Sequence, residues 1–144
     1  MFKSVVFLLF FSDIIKKKVK IYFRVREILM KKKYHVKTEK DFQTVINAKK
    51  SCANRNLVLF VLEKPEQTHF RYGLSVGKKI GNAVMRNKVK RQLRESIYQL
   101  RADLRPDIDF VLIARQNINI LTTQEVYDNL LHICKLGNIL KEDV

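Results

Sequence analysis

Between Gln67 and Arg94 the chain carries not one Asp or Glu. That absence excludes the ordinary solvated helix face, where acids sit three or four residues from bases. It also removes from this half of the chain the clustered acids of a two-magnesium nuclease and the paired carboxylates of general acid–base chemistry. Other catalytic chemistry is no better supplied. Cys52 and Cys134 stand alone, with no C-x-x-C pair, and His35, His69 and His132 lack metal-ligand spacing. The two cysteines therefore read as buried, reduced thiols of a cytosolic protein, not as a zinc site. There is no Ser-His or Cys-His arrangement and no H-E-x-x-H. Asp107 and Asp109, beside Pro106, read as a turn entering a strand. Internal repeats and low-complexity linkers are missing too.

What the chain has is positive charge. Its 144 residues suit one domain, and 47% apolar content suits a buried core. The net charge of +15, with a pI near 10, is far outside the range of about 2–8 that solubility asks of a small domain. Such a surplus points to a polyanion: nucleic acid or an anionic membrane surface.

Residues 1–29 differ from the rest. The apolar run Val5–Phe11 stops at Ser12 and Asp13, well short of the roughly 20 residues a membrane helix needs. A signal-peptide core is a second reading, but no small-residue cleavage pattern follows and Lys16–Lys18 do. A membrane-associating extension is a third. The favoured expectation is that 1–29 is a non-domain extension, with translation starting at Met30, and that 30–144 is one coherent domain. That domain keeps 22 basic and 12 acidic residues, net +10, so the charge argument survives.

Thr38 suits an N-cap, with Glu39 and Asp41 in the first turn and Phe42, Val45 and Ile46 at helical spacing. "NLVLFVLE" (Asn56–Glu63) is a strand, "KPEQT" a turn, and "FRYGLSV" (Phe70–Val76) a second strand expected to pair with the first as a hairpin. A helix is expected from Ala83 to about Leu104, ended by Arg105-Pro106. "DFVLIAR" is a buried strand. "TTQEVYDNLLHICKL" is a last helix with a Thr122–Glu125 capping box. The fold class is α+β, a small sheet packed on helices in the order α-β-β-α-β-α, with a short extra strand near Ser51–Arg55.

"KKIGNAVMRNKVKRQLRES" (Lys78–Ser96) holds the charge. At about 100° per residue, Val89, Leu93, Ile97, Leu100 and Leu104 form one buried face. Asn87, Lys90, Arg91, Arg94, Tyr98 and Arg101 fall on an adjacent arc. Lys78, Lys79 and Arg86 extend it through the preceding loop. Arg offers a planar fork to phosphate, Lys a point charge, and the Asn87 amide both donates and accepts. "GKKIG" lacks phosphate-loop spacing. Gly77, Gly81 and Asn82 read instead as the turn launching the helix, whose N-terminus adds a positive dipole end.

"RYGLSVGKKIGNAVMRNKVKRQLRE" closely resembles the signature of the bacterial ribonuclease P protein component, built around R-N-x-x-K-R at Arg86, Asn87, Lys90 and Arg91. "DFQTV", "SCANRNLVLF" and "VLIARQ" resemble the family's other landmarks in the same order. The resemblance spans roughly Met30 to Leu140. It implies a protein subunit of a ribonucleoprotein endoribonuclease, whose catalytic RNA removes the 5′ leader of precursor tRNA. No catalytic residue is expected in this chain. Mg2+ is expected mainly on the RNA, with Asn87 as the one candidate for a contact through water and no firm metal ligand. No organic cofactor, no membrane association and no obligate protein partner are expected, and the compartment is the cytoplasm. The resemblance further implies a left-handed β-α-β crossover through the basic helix. It places the catalytic RNA on Lys78, Arg86, Asn87, Lys88, Lys90, Arg91 and Arg94. It places the leader in a cleft at Phe42, Ser51, Asn54, Arg55, Phe60, Ser75 and Lys79. Two positions depart from the family pattern: Phe60 stands where relatives often have Tyr, and Gly77 where they often have Ser. Each removes a hydroxyl, leaving stacking as the contribution at 60.

Two other functions fit the charge: a structural RNA-binding protein, such as a ribosomal protein of similar fold, and a protein-only nuclease. The acid gap speaks against the second. Because the helical and strand periodicity is complete without residues 1–29, a chain beginning at Met30 is expected to fold and function as the full chain does. Thermal melts of the two forms check this, and a large fall in Tm on deletion would contradict it.

Overall fold

The computed structural model divides the chain into two compact units, Met1–Lys31 and Lys32–Val144. It describes residues 15–18, which are helical, and 32–142. The expectations for 1–29 otherwise lie outside the described residues. Among the described residues no helix is long and apolar enough to cross a membrane.

The second unit begins with a 3-10 turn, Lys32–Tyr34, and then α1, Glu39–Asn47. Thr38 caps α1 as its sequence predicts, its hydroxyl accepting from the Asp41 amide at 3.0 Å. Strands β1 (Ser51–Ala53), β2 (Leu57–Glu63) and β3 (Arg71–Ser75) follow. The long helix α2 (Ala83–Leu100), strand β4 (Ile108–Ala114) and helix α3 (Thr123–Leu136) complete the order. The capping box of α3 is present, with Thr122 and Glu125 bonding each other's backbone amides.

The four strands lie in the order β1-β2-β4-β3. β4 pairs antiparallel with β2 and parallel with β3. The expected hairpin between the second and third strands is therefore not formed, because β4 lies between them. The 64–70 connection shows why. Lys64 donates its amide to the Asp107 carbonyl at 2.7 Å, and the Gln67 side chain donates to the Ile108 carbonyl at 3.1 Å. The chain thus crosses the start of β4 and lands on its far side. β4 has five consecutive buried residues, Ile108–Leu112, as a strand covered on both faces must.

Register separates the two faces. Leu57, Leu59 and Val61 share one face with Tyr72, Phe110 and Leu112, all buried. The Tyr72 and Phe110 rings stack there, with centroids 6.1 Å apart. α3 packs on this side, Gly137 beyond its end lying against Leu59 and Cys52, and α2 packs on α3. The opposite face carries Ser51, Phe60, Val111 and Gly73 in one register row, with Ala53, Val58, Ile113 and Ser75 in the next. α1 lies over part of this face and buries Val45 completely.

α2 buries Val89, Leu93, Ile97 and Leu100, as its periodicity predicts, but it ends at Leu100 and not near Leu104. Arg101 turns back and donates from its guanidinium to the Tyr98 carbonyl at 2.8 Å. Leu104, still buried, is drawn out of the helix into a β-bridge with Leu140. Asp107 and Asp109 are structural, as read from the sequence. Asp107 pairs with Arg105, and Asp109, 1% exposed, takes both arms of the Arg71 guanidinium from the neighbouring strand.

Candidate nucleic-acid interface

The turn "GKKIGN" sets the basic helix in place. Lys78–Ile80 forms a 3-10 turn in which Ile80 is buried while Lys78 and Lys79 stay exposed. Asn119 donates from its amide to the Ile80 carbonyl at 3.0 Å and so ties this turn to the 3-10 segment Gln116–Ile120. Gly81 has φ of 150°, a conformation side chains resist, and Asn82 caps α2 by accepting from the Met85 amide at 3.0 Å. Gly77 is different: its φ is −78°, and a Cβ there would meet nothing within 4 Å. The expectation that Gly77 is needed for the turn is corrected. A serine would fit here without strain.

Lys78, Lys79, Asn87, Lys88 and Arg91 are exposed, while Arg86, Lys90 and Arg94 are half-buried. Among the described residues the ion pairs are Lys50–Glu63, Arg71–Asp109, Arg105–Glu63 and Arg105–Asp107. None involves the stripe on α2, and the Arg86 Nε is buried without a hydrogen-bond partner. Tyr98, placed on the same arc by the helical wheel, is buried, with the Arg101 guanidinium 4.0 Å from its ring centroid.

Of the residues expected to line a cleft, Phe42, Ser51, Phe60 and Ser75 come together on the α1 side of the sheet. The Phe42 ring lies over Gly73, which shares a register row with Val111, Phe60 and Ser51. Phe60 is half-buried, its strand alternating between buried and partly open positions. On the other flank, at the β3 edge, Phe42 lines a recess of about 310 Å3 together with Lys90, Arg94, Lys37 and His35. Lys79 and Arg55 are exposed at the same end of the sheet, where β2 starts and β3 finishes. Asn54 faces the other way, toward α3. Its side chain accepts from the Asn56 and Leu57 amides at 3.0 and 2.8 Å and donates to the Asn129 carbonyl at 3.0 Å. It braces the turn that presents Arg55.

Two residues at this end were not among the expected site residues. Arg115 follows β4 and donates to the Asn54 carbonyl at 3.0 Å, exposed beside Arg55. The signal was available: an Arg directly after an apolar strand that ends where the Lys78–Lys79 turn begins. Asn129 of α3 accepts from the Asn56 amide at 3.0 Å and locks the same turn, a long-range contact with no local signal.

Burial pushes the Cys134 thiol up to about 12 and also raises Cys52, so both are protonated at neutral pH. Among the described residues no group of three His, Cys, Asp or Glu is placed to hold a metal ion.

A small α+β scaffold whose helix carries a cationic stripe outside any ion pair among the described residues, beside a partly open sheet face, defines a polyanion-binding protein. A family model for ribonuclease P matches residues 30–136, and the chain belongs to that family, whose members take part in removing the 5′ leader of precursor tRNA. A ribonuclease P protein component of Enterococcus faecalis is 58% identical over 111 residues, covering 77% of this chain and 94% of the relative. That of Latilactobacillus sakei is 57% identical over 114 residues, covering 79% and 95%. The solved ribonuclease P protein of Staphylococcus aureus superposes with a TM-score of 0.70 at 37% identity, covering 75% of this chain and 98% of its own. These matches give the ribosomal-protein alternative no support.

The Phe42–Gly73 contact generates a stability prediction. A Cβ at Gly73 would sit 2.9 Å from the Phe42 ring and 3.4 Å from Val111. Gly73→Ala is expected to cost about 1–2 kcal/mol through overpacking. In a Phe42→Leu background the same change is expected to cost distinctly less. Urea unfolding of the four chains measures the coupling, and additive losses would refute the contact as the cause.

Proposed function

We propose that this chain is the protein subunit of a ribonuclease P ribonucleoprotein whose catalytic centre lies in its RNA. The α2 stripe at Arg86, Asn87, Lys90 and Arg91, extended by Lys78, Lys88 and Arg94, docks on the catalytic RNA. The single-stranded leader of precursor tRNA runs along the α1 side of the sheet past Phe60, Ser51 and Ser75, with Arg55 and Lys79 for its phosphates. Mg2+ would be held mainly by the RNA, where it would supply charge stabilisation, and on this chain Asn87 would be its candidate contact, through water. The complex works in the cytoplasm, and residues 30–144 are the part that binds RNA.

The observation that carries this reading is the unpaired cationic stripe on α2, held on a rigid core and free of acids from Gln67 to Arg94. Unpaired cations cost the fold self-repulsion, which a polyanion partner offsets. Reconstitution with the host's catalytic RNA at low magnesium is expected to give leader cleavage at the mature 5′ end only when the protein is present. Alanine at Arg86, Lys90 and Arg91 together is expected to weaken assembly and to flatten its salt dependence by roughly one unit of slope per lost contact. An unchanged slope would place the docking face elsewhere.

The sheet face is tested separately. Stacking on an aromatic ring is worth about 1–3 kcal/mol per base. Phe60→Ala is expected to weaken precursor tRNA binding to the assembled ribonucleoprotein by that order while leaving mature tRNA unaffected, because mature tRNA has no leader. Equal losses for the two would return Phe60 to the core.

A further inference from the structure

Val84 and Ile120 are the most exposed large apolar side chains among the described residues, at 78% and 79%. Either alone would be unremarked, since single exposed hydrophobes are normal. Their placement is specific. Val84 lies in the first turn of α2, and Ile120 ends the 3-10 segment that leads to α3. α2 packs on that 3-10 segment, and two side-chain bonds flank the contact, one to the turn before α2 and one to the start of α3. Asn119, next to Ile120, holds the Ile80 carbonyl at 3.0 Å, and Gln92 of α2 donates to the Thr123 hydroxyl at 3.3 Å. The two apolar side chains are thus carried on a fixed frame.

The charge around them selects the occupant. Lys88 and Arg91 stand four and seven residues after Val84, on its own face of the helix, and both are exposed. Lys78 and Lys79 are exposed in the turn just before. No acid occurs on this stretch before Glu95. A second copy of this basic chain would be repelled by such a rim. A folded RNA presenting one unpaired base fits it, with phosphates on the lysines and arginine and the apolar base face on the aliphatic side chains.

We propose that Val84 and Ile120 form an apolar seat for an unpaired nucleobase of the RNA that docks on α2. The seat extends that interface beyond the basic motif to the β4–α3 connection. It rests on the reading that α2 binds the catalytic RNA, and adds to it a component of affinity that salt does not screen.

That component is the measurement. Affinity of the full chain for the catalytic RNA is followed against salt for wild type, for Val84→Ser/Ile120→Ser and for Arg86→Ala/Lys90→Ala/Arg91→Ala. The double serine variant is expected to lose about tenfold at every salt concentration with its slope unchanged, because no phosphate contact is removed. The triple alanine variant is expected to lose slope. Full affinity in the double serine variant, with slope lost in the triple variant, overturns the seat and leaves the docking helix standing. An unchanged slope in the triple variant overturns both. A double serine variant whose only change is in self-association, read by sedimentation of the protein alone, makes the patch a protein contact and also overturns the seat. Should serine in the first turn of α2 lower the melting temperature, Val84→Thr/Ile120→Thr keeps the β-branches and is expected to give the same salt-independent loss.

Discussion

The position of β4 governs the rest of the molecule. Of the four strands it alone has an antiparallel neighbour on one edge, β2, and a parallel neighbour on the other, β3. A parallel neighbour cannot be reached by a tight turn, so the chain between β3 and β4 must travel the length of the sheet and return. That return is α2. The helix with the densest positive charge is therefore also a topological necessity, and its buried side, Val89, Leu93 and Ile97, is fixed by the same core that fixes the strands. The charge can be left unpaired because α2 does not depend on ion pairs to stay in place.

Register then sorts the charges by end. Where β2 finishes and β4 begins, the acids are satisfied: Glu63 with Lys50 and Arg105, Asp107 with Arg105, Asp109 with Arg71. These bases hold Glu63 and Asp107 below the usual carboxylate range. At the opposite end, where β3 and β4 finish, Arg55, Lys78, Lys79 and Arg115 are exposed and meet no acid in an ion pair among the described residues. A globular protein that only needed solubility would intermix the two signs. Here the ion-paired acids lie at one end of the sheet, and the exposed cations outside any ion pair lie at the other.

Local chemistry made much of this legible. The caps at Thr38 and Thr122, the buried stripe of α2 and the two-residue period that opens Phe60 are all determined within a few residues, and all are present. What failed was long-range. A strand's own sequence does not name its neighbour, so "FRYGLSV" gave no sign that Gln67 would carry the chain across β4. The end of α2 is set by the Leu104–Leu140 bridge, between residues distant in sequence. Asn54 turns its side chain to Asn129 of α3, a contact that its own stretch of sequence does not announce. Gly77 and Gly81 look alike in sequence, but only Gly81 has a backbone that requires glycine.

The two faces of the sheet meet at one edge, and this makes them interdependent. β3 is an edge strand, covered where His35 bridges Tyr72 and Val36 donates to the Tyr72 carbonyl at 3.0 Å. Beside that bridge, Lys90 and Arg94 of α2 and Phe42 of α1 line the same recess. Phe42 can lie there only because Gly73 has no side chain, so a single missing Cβ brings the aromatic of one face within reach of the cations of the other. The cationic side of α2 therefore borders the sheet face at this recess. What lies between the two surfaces here is β3, the shortest of the three strands that form the sheet's centre and far edge.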